Sequence, residues 1–143
     1  MVTKQDKLFM QLAKEASRAG TCLRLQVGSI LVKDQRVISI GYNGAPIGIT
    51  NCLEVGCDMT IIDGKLHCQR AVHGDQNALT NLARLSGGAH GATLYTTHSP
   101  CYACAKMLVN AGVARVIYQN EYDDVKTVQL FKEAKIERVR FQD

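Results

Sequence analysis

Apolar residues recur at intervals of three and four between residues 4 and 19, where Leu8, Phe9, Leu12, Ala13 and Ala16 share one face. That spacing predicts an amphipathic helix, and Gly20 ends it. Two runs rich in valine and isoleucine follow, "VGSILVK" and "RVISIGYNG". They read as strands, and the polar "DQ" between them turns a hairpin without the glycine of the best two-residue turns. Residues 45–69 carry four glycines or prolines and three cysteines, with little periodicity beyond "MTII". This stretch reads as a long loop, of a length that is uncommon unless it is functional or held by something. Helical spacing returns over residues 71–85 through Ala71, Ala78, Leu79, Leu82 and Leu85, and "SGG" stops it. The strand "ATLYTT" then leads into "HSPCYACAKMLVNAG", a loop running into a helix that Gly112 closes. "ARVIYQN", a helix over 125–134 and "IERVRF" complete an alternation of strands and helices. Such alternation predicts an α/β sandwich with some parallel strands.

At 143 residues the chain is expected to form a single domain over 1–143. A hydrophobic fraction of 46%, 21% charged residues and 2 prolines suit a globule with a substantial core. The opening "MVTKQDKLFMQLAKEAS" mixes charge with apolar residues and lacks the unbroken apolar run of a signal peptide or membrane span, so the expected location is cytoplasmic. The net charge of +4 comes from scattered basic residues. It suits a small phosphorylated ligand better than nucleic acid. Six cysteines without an export signal point away from disulfides and towards metal ligation or buried thiols.

The chemistry concentrates in "PCYAC" and "HGD". Cys101 and Cys104, spaced to share a metal at the start of a helix, gain thiolate character from the helix dipole and free N–H groups there. The same spacing also serves redox exchange or plain packing. His73 supplies a third donor, and three protein ligands with one open position define a catalytic rather than a structural zinc site. Zinc lowers the pKa of bound water to about 7. Asp75 is then placed to move that water's proton. Taken singly, His73 is also a helix-cap histidine, and Asp75 a first-turn acid that favours the helix dipole.

Together these residues follow the zinc-deaminase pattern H-x-E followed by P-C-x-x-C, with Asp in place of Glu. Over residues 7–122 the chain resembles the deoxycytidylate deaminase branch of the zinc-dependent cytidine deaminase family. The likeness is carried by "CLRLQVGSILV", "GYNGAPIG", "HGDQNAL", "TLYTTHSPCYACAKMLVNAG" and "RVIYQNEY". "GYNGAPIG" followed by the cysteine-bearing insert favours the nucleotide branch. The resemblance implies a cytidine deaminase-like three-layer α/β/α sandwich around a mixed five-stranded sheet, and hydrolysis of dCMP to dUMP with loss of ammonia. It makes His73, Cys101 and Cys104 the ligands of a catalytic zinc and puts Asp75 in the place of the proton-carrying glutamate. Asn43 corresponds to a sugar contact, and Arg24 and Tyr122 fall on the 5′-phosphate side; Arg24 also reads as a solvated surface charge. Aspartate is one methylene shorter than glutamate and holds its carboxylate back by about 1.5 Å. Either the backbone around Gly74 compensates, or turnover is slow, or the change is an engineered one that keeps binding and suppresses catalysis.

Relatives with an additional zinc imply a closed structural site at Cys22, Cys52, Cys57 and Cys68, with His67 as the alternate ligand, pinning the long loop against the first helix. Buried free thiols are the simpler reading. The resemblance further implies a homo-oligomer, a hexamer in many members, activated by dCTP and inhibited by dTTP. It associates the effector site with Gly41, Tyr42, Asn43 and Gly44, which equally form a tight strand-end turn. His98 lies near the zinc pocket and fits either the base site or a turn; His90 has no assigned role. Tyr95 and Tyr118 fit strand packing. The competing functions are a related deaminase acting on another cytosine nucleotide such as dCTP, and a zinc-stabilised nucleotide-binding regulator with impaired catalysis.

Overall fold

The computed structural model describes residues 2–62, 64–85, 87–122 and 124–142. After helix α1 (Lys4–Ser17), strands β1 (Gly28–Lys33) and β2 (Arg36–Tyr42) form the expected antiparallel hairpin. Its two turn residues, Asp34 and Gln35, both take positive φ, 52° and 60°. This is the twist a two-residue hairpin needs, achieved here without glycine. Leu31 faces Ser39 while Val32 faces Val37, so Ile38 is an extra residue that bulges β2. Strand β5 (Thr93–His98) pairs antiparallel with β1 and parallel with β6 (Arg115–Asn120), which pairs parallel with β7 (Glu137–Arg140). The result is a mixed five-stranded sheet in the order β2-β1-β5-β6-β7.

Alternation along the central strands divides the core in two. Ile30, Val32, Tyr95 and Ile117 point to one face, where Phe9, Met10 and Ala13 of α1 cover them. Leu31, Leu94 and Val116 point to the other. There they meet helices α3 (Gly74–Arg84), α4 (Tyr102–Asn110) and α5 (Val125–Glu133) through Ala78, Leu82, Ala105, Leu108 and Phe131. Helices on both faces make the three-layer sandwich that the sequence implied. Strand β2 meets α3 so closely that a side-chain carbon on Gly41 would overlap the Gly74 carbonyl and the Ala78 backbone nitrogen.

The buried face of α1 differs from the one that hydrophobicity predicts. Leu8 and Leu12 are 55% and 39% exposed, whereas Phe9, Met10, Ala13 and the carboxylate of Asp6 are buried. Asp6 belongs there because its charge is fully met. Its Oδ1 accepts from Tyr95 Oη at 2.6 Å and from Arg115 Nη1 at 3.2 Å, and its Oδ2 accepts from the Thr3 N–H at 2.8 Å. Burial alone would raise its pKa; the Thr3 N–H, the Tyr95 hydroxyl and the Arg115 charge outweigh that and hold it below the ordinary 3.8. A depressed folded-state pKa stabilises the fold above the unfolded value, and that stability is lost as pH falls through the folded value. Asp6→Asn should therefore cost about 2–4 kcal/mol at neutral pH. Below about pH 4 its melting curve should approach that of the wild type. Parallel curves down to about pH 2 would show that the carboxylate is not a stabilising charge.

Residues 45–69 are not the structureless loop expected. They contain a short helix α2 (Cys52–Val55) and a hairpin of β3 (Met59–Ile62) and β4 (Lys65–Cys68). Ile61, Ile62 and Leu66 remain exposed, so the alternation that marks a half-buried strand is missing from the sequence. Helix α3 begins at Gly74 and ends at Arg84, leaving Ala71 and Leu85 outside it. Among the described residues no helix is long and apolar enough to cross a membrane.

Candidate active site

The site lies at the carboxyl end of β5, where open α/β sheets commonly place their ligands. Strand β5 ends at His98, and Cys101 becomes the N-cap of α4, with Cys104 in its first turn. His73 caps α3 from the neighbouring side. Its backbone N–H donates to Gln76 Oε1 at 3.1 Å, and the Gly74 N–H donates to Asn43 Oδ1 at 2.6 Å. Both bonds fix the start of α3. Nδ1 of His73 lies 3.2 Å from Cys104 Sγ and 3.5 Å from Cys101 Sγ, and the two sulfurs are 3.4 Å apart.

A tetrahedral zinc with ordinary bond lengths needs about 3.6 Å between nitrogen and sulfur donors and about 3.8 Å between sulfurs. The triangle matches this within a few tenths of an ångström, and one imidazole with two thiols is a donor set zinc favours. These residues fit the ion, with one coordination position left to a non-protein ligand.

The electrostatics agree with a metal site. The hydrogen bond shared with Cys104 brings the Cys101 thiol down to about 4, with His73 assisting, and the same sharing pushes the Cys104 thiol up. The bond to Cys101 raises His73. Asp75 is 4% exposed and stands next to the triad. Burial pushes its carboxyl above the usual range, and negative charge on Cys101 adds to that, against the opposing pull of a hydrogen bond with Cys104 and of charge on His73. A carboxyl in this setting holds a proton more readily than one in water.

In front of the triad opens a cavity of about 580 Å³, lined by His73, Asp75 and Cys101 together with Asn43, Arg24, Tyr122 and His98. The substrate-side candidates thus share one chamber, though two of them are already engaged. Besides accepting from Gly74, Asn43 donates from Nδ2 to the Leu25 carbonyl at 3.3 Å. Arg24 is exposed, and its Nη1 donates to the Leu66 carbonyl at 2.5 Å. His98 Nδ1 lies 3.0 Å from Thr97 Oγ1, and burial lowers its pKa. Of the four residues associated with an effector, Asn43 alone lines this cavity. Gly41 packs on α3, and Gly44 bridges to Val72. Lys65, Gln76 and Ser99 were missed in the sequence. Only Gln76 carried a signal, since a glutamine three residues after an N-cap is half of a capping box.

A second thiol group lies beside the cavity. The sulfurs of Cys52, Cys57 and Cys68 are all within 4.8 Å of one another, with Cys52 and Cys68 3.6 Å apart. Of the expected four-cysteine set, three converge within that limit; Cys22 is buried on the wall of the adjoining cavity and, like His67, is not among the three. Burial and then the neighbouring thiols push Cys52 up to about 12. Cys68 is lowered to about 7: burial would raise it, but the backbone N–H groups of Ala71, Asp58 and Arg70 outweigh that. Three N–H donors on one sulfur make a thiolate's environment.

A model of the cytidine and deoxycytidylate deaminase zinc-binding region matches residues 3–120. The chain is 39% identical over 124 residues to the deoxycytidylate deaminase of Mycobacterium phage D29, covering 81% of this chain and 94% of the phage protein. It is 36% identical over 135 residues to the deoxycytidylate deaminase of Saccharomyces cerevisiae, covering 92% of this chain but only 43% of the yeast protein. The dCMP deaminase of cyanophage S-TIM5, solved in complex with dCMP and dUMP, superposes with a TM-score of 0.83 at 33% identity, over 99% of both chains.

Proposed function

Because the chain belongs to the cytidine and deoxycytidylate deaminase family, we propose that it hydrolyses dCMP to dUMP and ammonia. The observation that carries this reading is the juxtaposition of the His73, Cys101 and Cys104 triangle with a buried carboxyl, both facing one chamber. His73 Nδ1 and the two sulfurs would hold zinc, which when bound supplies a Lewis acid that makes water nucleophilic at neutral pH. The chain's own part is proton management and orientation. Asp75 takes a proton from the attacking water and delivers it to N3 of the cytosine ring, next to the carbon under attack. A second transfer lets the exocyclic nitrogen depart as ammonia, so water and dCMP are consumed and dUMP and ammonia are formed. The clamps from Gln76 to His73 and from Asn43 to Gly74 fix the helix end that carries both His73 and Asp75. Such positioning matters because a misplacement of about 1 Å can cost around a hundredfold in rate.

The Cys52, Cys57 and Cys68 group is read as a second, structural zinc site, supported by the mutual distances and by the N–H cradle around Cys68. Mass-resolved assay of dCMP conversion by the zinc-loaded protein, with deoxycytidine and dCTP as competitors, tests the reaction. Tight dUMP binding with no ammonia release would favour the second reading, a nucleotide-binding regulator, which the aspartate at position 75 supports.

A further inference from the structure

The β3–β4 hairpin runs along one wall of the chamber as a strap, with Leu66, His67 and Cys68 of β4 lining it. Its end meets α2 through sulfur. Cys52 opens α2 and Cys68 closes β4; their sulfurs are 3.6 Å apart, and the Cys57 sulfur is within 4.8 Å of both. The close pair is unequal in access. Cys68 is half-buried and lines the chamber, whereas Cys52 is 1% exposed. A disulfide needs about 2.0 Å between sulfurs. The remaining approach falls on a segment that core packing does not hold, since no described residue of 45–69 joins either hydrophobic cluster. Cys101 and Cys104, with sulfurs 3.4 Å apart, instead sit at the start of α4, which Ala105 and Leu108 anchor in the core. Among the described residues no fourth His, Cys or carboxylate donor joins the Cys52, Cys57 and Cys68 group. Even with a metal bound it is open on one side, unlike a four-ligand structural zinc site.

We infer that Cys52 and Cys68 form a reversible oxidation site for hydroperoxides, in which Cys68 takes the oxygen and Cys52 closes the disulfide. The Cys68 sulfur, reached from the chamber, attacks the peroxide; the O–O bond breaks, and a sulfenic acid and, from hydrogen peroxide, one water result. The Cys52 sulfur then attacks Cys68, an S–S bond forms, the S–O bond breaks and the oxygen leaves as a second water. The two sulfurs together give up two electrons, and the peroxide takes them. The two protons come from the thiols, or from solvent where the sulfurs are ligating a metal. Cys57 is then the only thiol left in the group, too few donors to hold an ion, so oxidation releases a metal bound there. The crosslink closes the same loop, 52–68, that a shared ion closes, and the strap keeps its attachment. In a reducing compartment such a bond is transient and marks a redox sensor. The disulfide rests on the sulfur geometry alone; the metal release also rests on the structural-zinc reading of this group.

Treating the zinc-loaded protein with hydrogen peroxide beside a chromogenic zinc chelator tests this without relying on turnover. Two of the six thiols, counted after unfolding, should be lost. Mass spectrometry should map a peptide joining Cys52 to Cys68, one zinc equivalent should be released, and dithiothreitol should restore both thiols. Cys57→Ser should still form the same crosslink. Retention of all thiols, a crosslink between Cys101 and Cys104 or through Cys57 instead, or oxidation to a sulfinic acid that dithiothreitol does not reverse would each overturn the inference. A protein that holds only one zinc equivalent before treatment would overturn the structural-zinc reading, and the mapped crosslink would still decide the redox pair.

Discussion

Replacing Asp75 with asparagine should lower kcat for dCMP by about 10²- to 10⁴-fold, the usual contribution of a positioned acid–base group. Asparagine has nearly the same shape, so the closed floor stays filled and the neighbouring triad keeps its geometry. What disappears is the exchangeable proton. Zinc content and dUMP affinity should therefore stay close to wild type, and a variant that loses both has collapsed instead of losing its acid. Asp75→Glu tests the same carboxyl in the other direction. The added methylene extends it by about 1.5 Å, towards a chamber with room to receive it. Restoring the family's proton carrier should raise kcat; equal or lower turnover would mean that the backbone around Gly74 already delivers the aspartate where it is needed. Asp75→Asn with activity within threefold of wild type would leave the carboxyl without a chemical role.

The parts of this molecule that the sequence announced are those where local pattern and tertiary packing agree. The β1 and β5 strands are buried on both faces and carry β-branched and apolar residues, Ile30-Leu31-Val32 in one and Leu94-Tyr95-Thr96-Thr97 in the other, and His73, Cys101 and Cys104 are tied to helix starts by spacing that is visible in one dimension. Where tertiary partners override local preference, the structure departs from the sequence pattern. Helix α1 turns Asp6 inward because Tyr95 and Arg115, at 89 and 109 residues' separation, neutralise it. No hydrophobicity pattern contains that information. The β3–β4 hairpin pairs Met59 with Cys68 and Ile62 with Lys65 while exposing most of its side chains, so its signal lies in backbone pairing and in sulfur atoms, not in alternation. Cys22 shows the limit of counting ligands. Its sulfur lies buried in the wall of the same chamber, yet only folding decides which three thiols converge.

Cys104→Ala and Cys68→Ala should each remove one zinc equivalent, with different consequences. At Cys104 the loss opens the triad: two donors remain, Cys101 and His73, 3.5 Å apart. They are too few to hold an ion against solvent and buffer, and activity should fall by more than about 10³-fold, because several kcal/mol of charge stabilisation go with the metal. The fold should survive, since Cys104 takes up little core volume beside the packed leucines and alanines of α3 and α4. At Cys68 the consequence is mechanical. The cradle of N–H groups from Asp58, Arg70 and Ala71 loses its thiolate, and the β3–β4 strap loses its attachment at that end. The catalytic ion should remain, thermal stability should drop, and the apparent affinity for dCMP should weaken more than kcat falls. Metal analysis beside paired kcat and KM values separates the two variants. One zinc equivalent in the wild type, lost with Cys104→Ala and retained with Cys68→Ala, would make the second group a set of buried thiols.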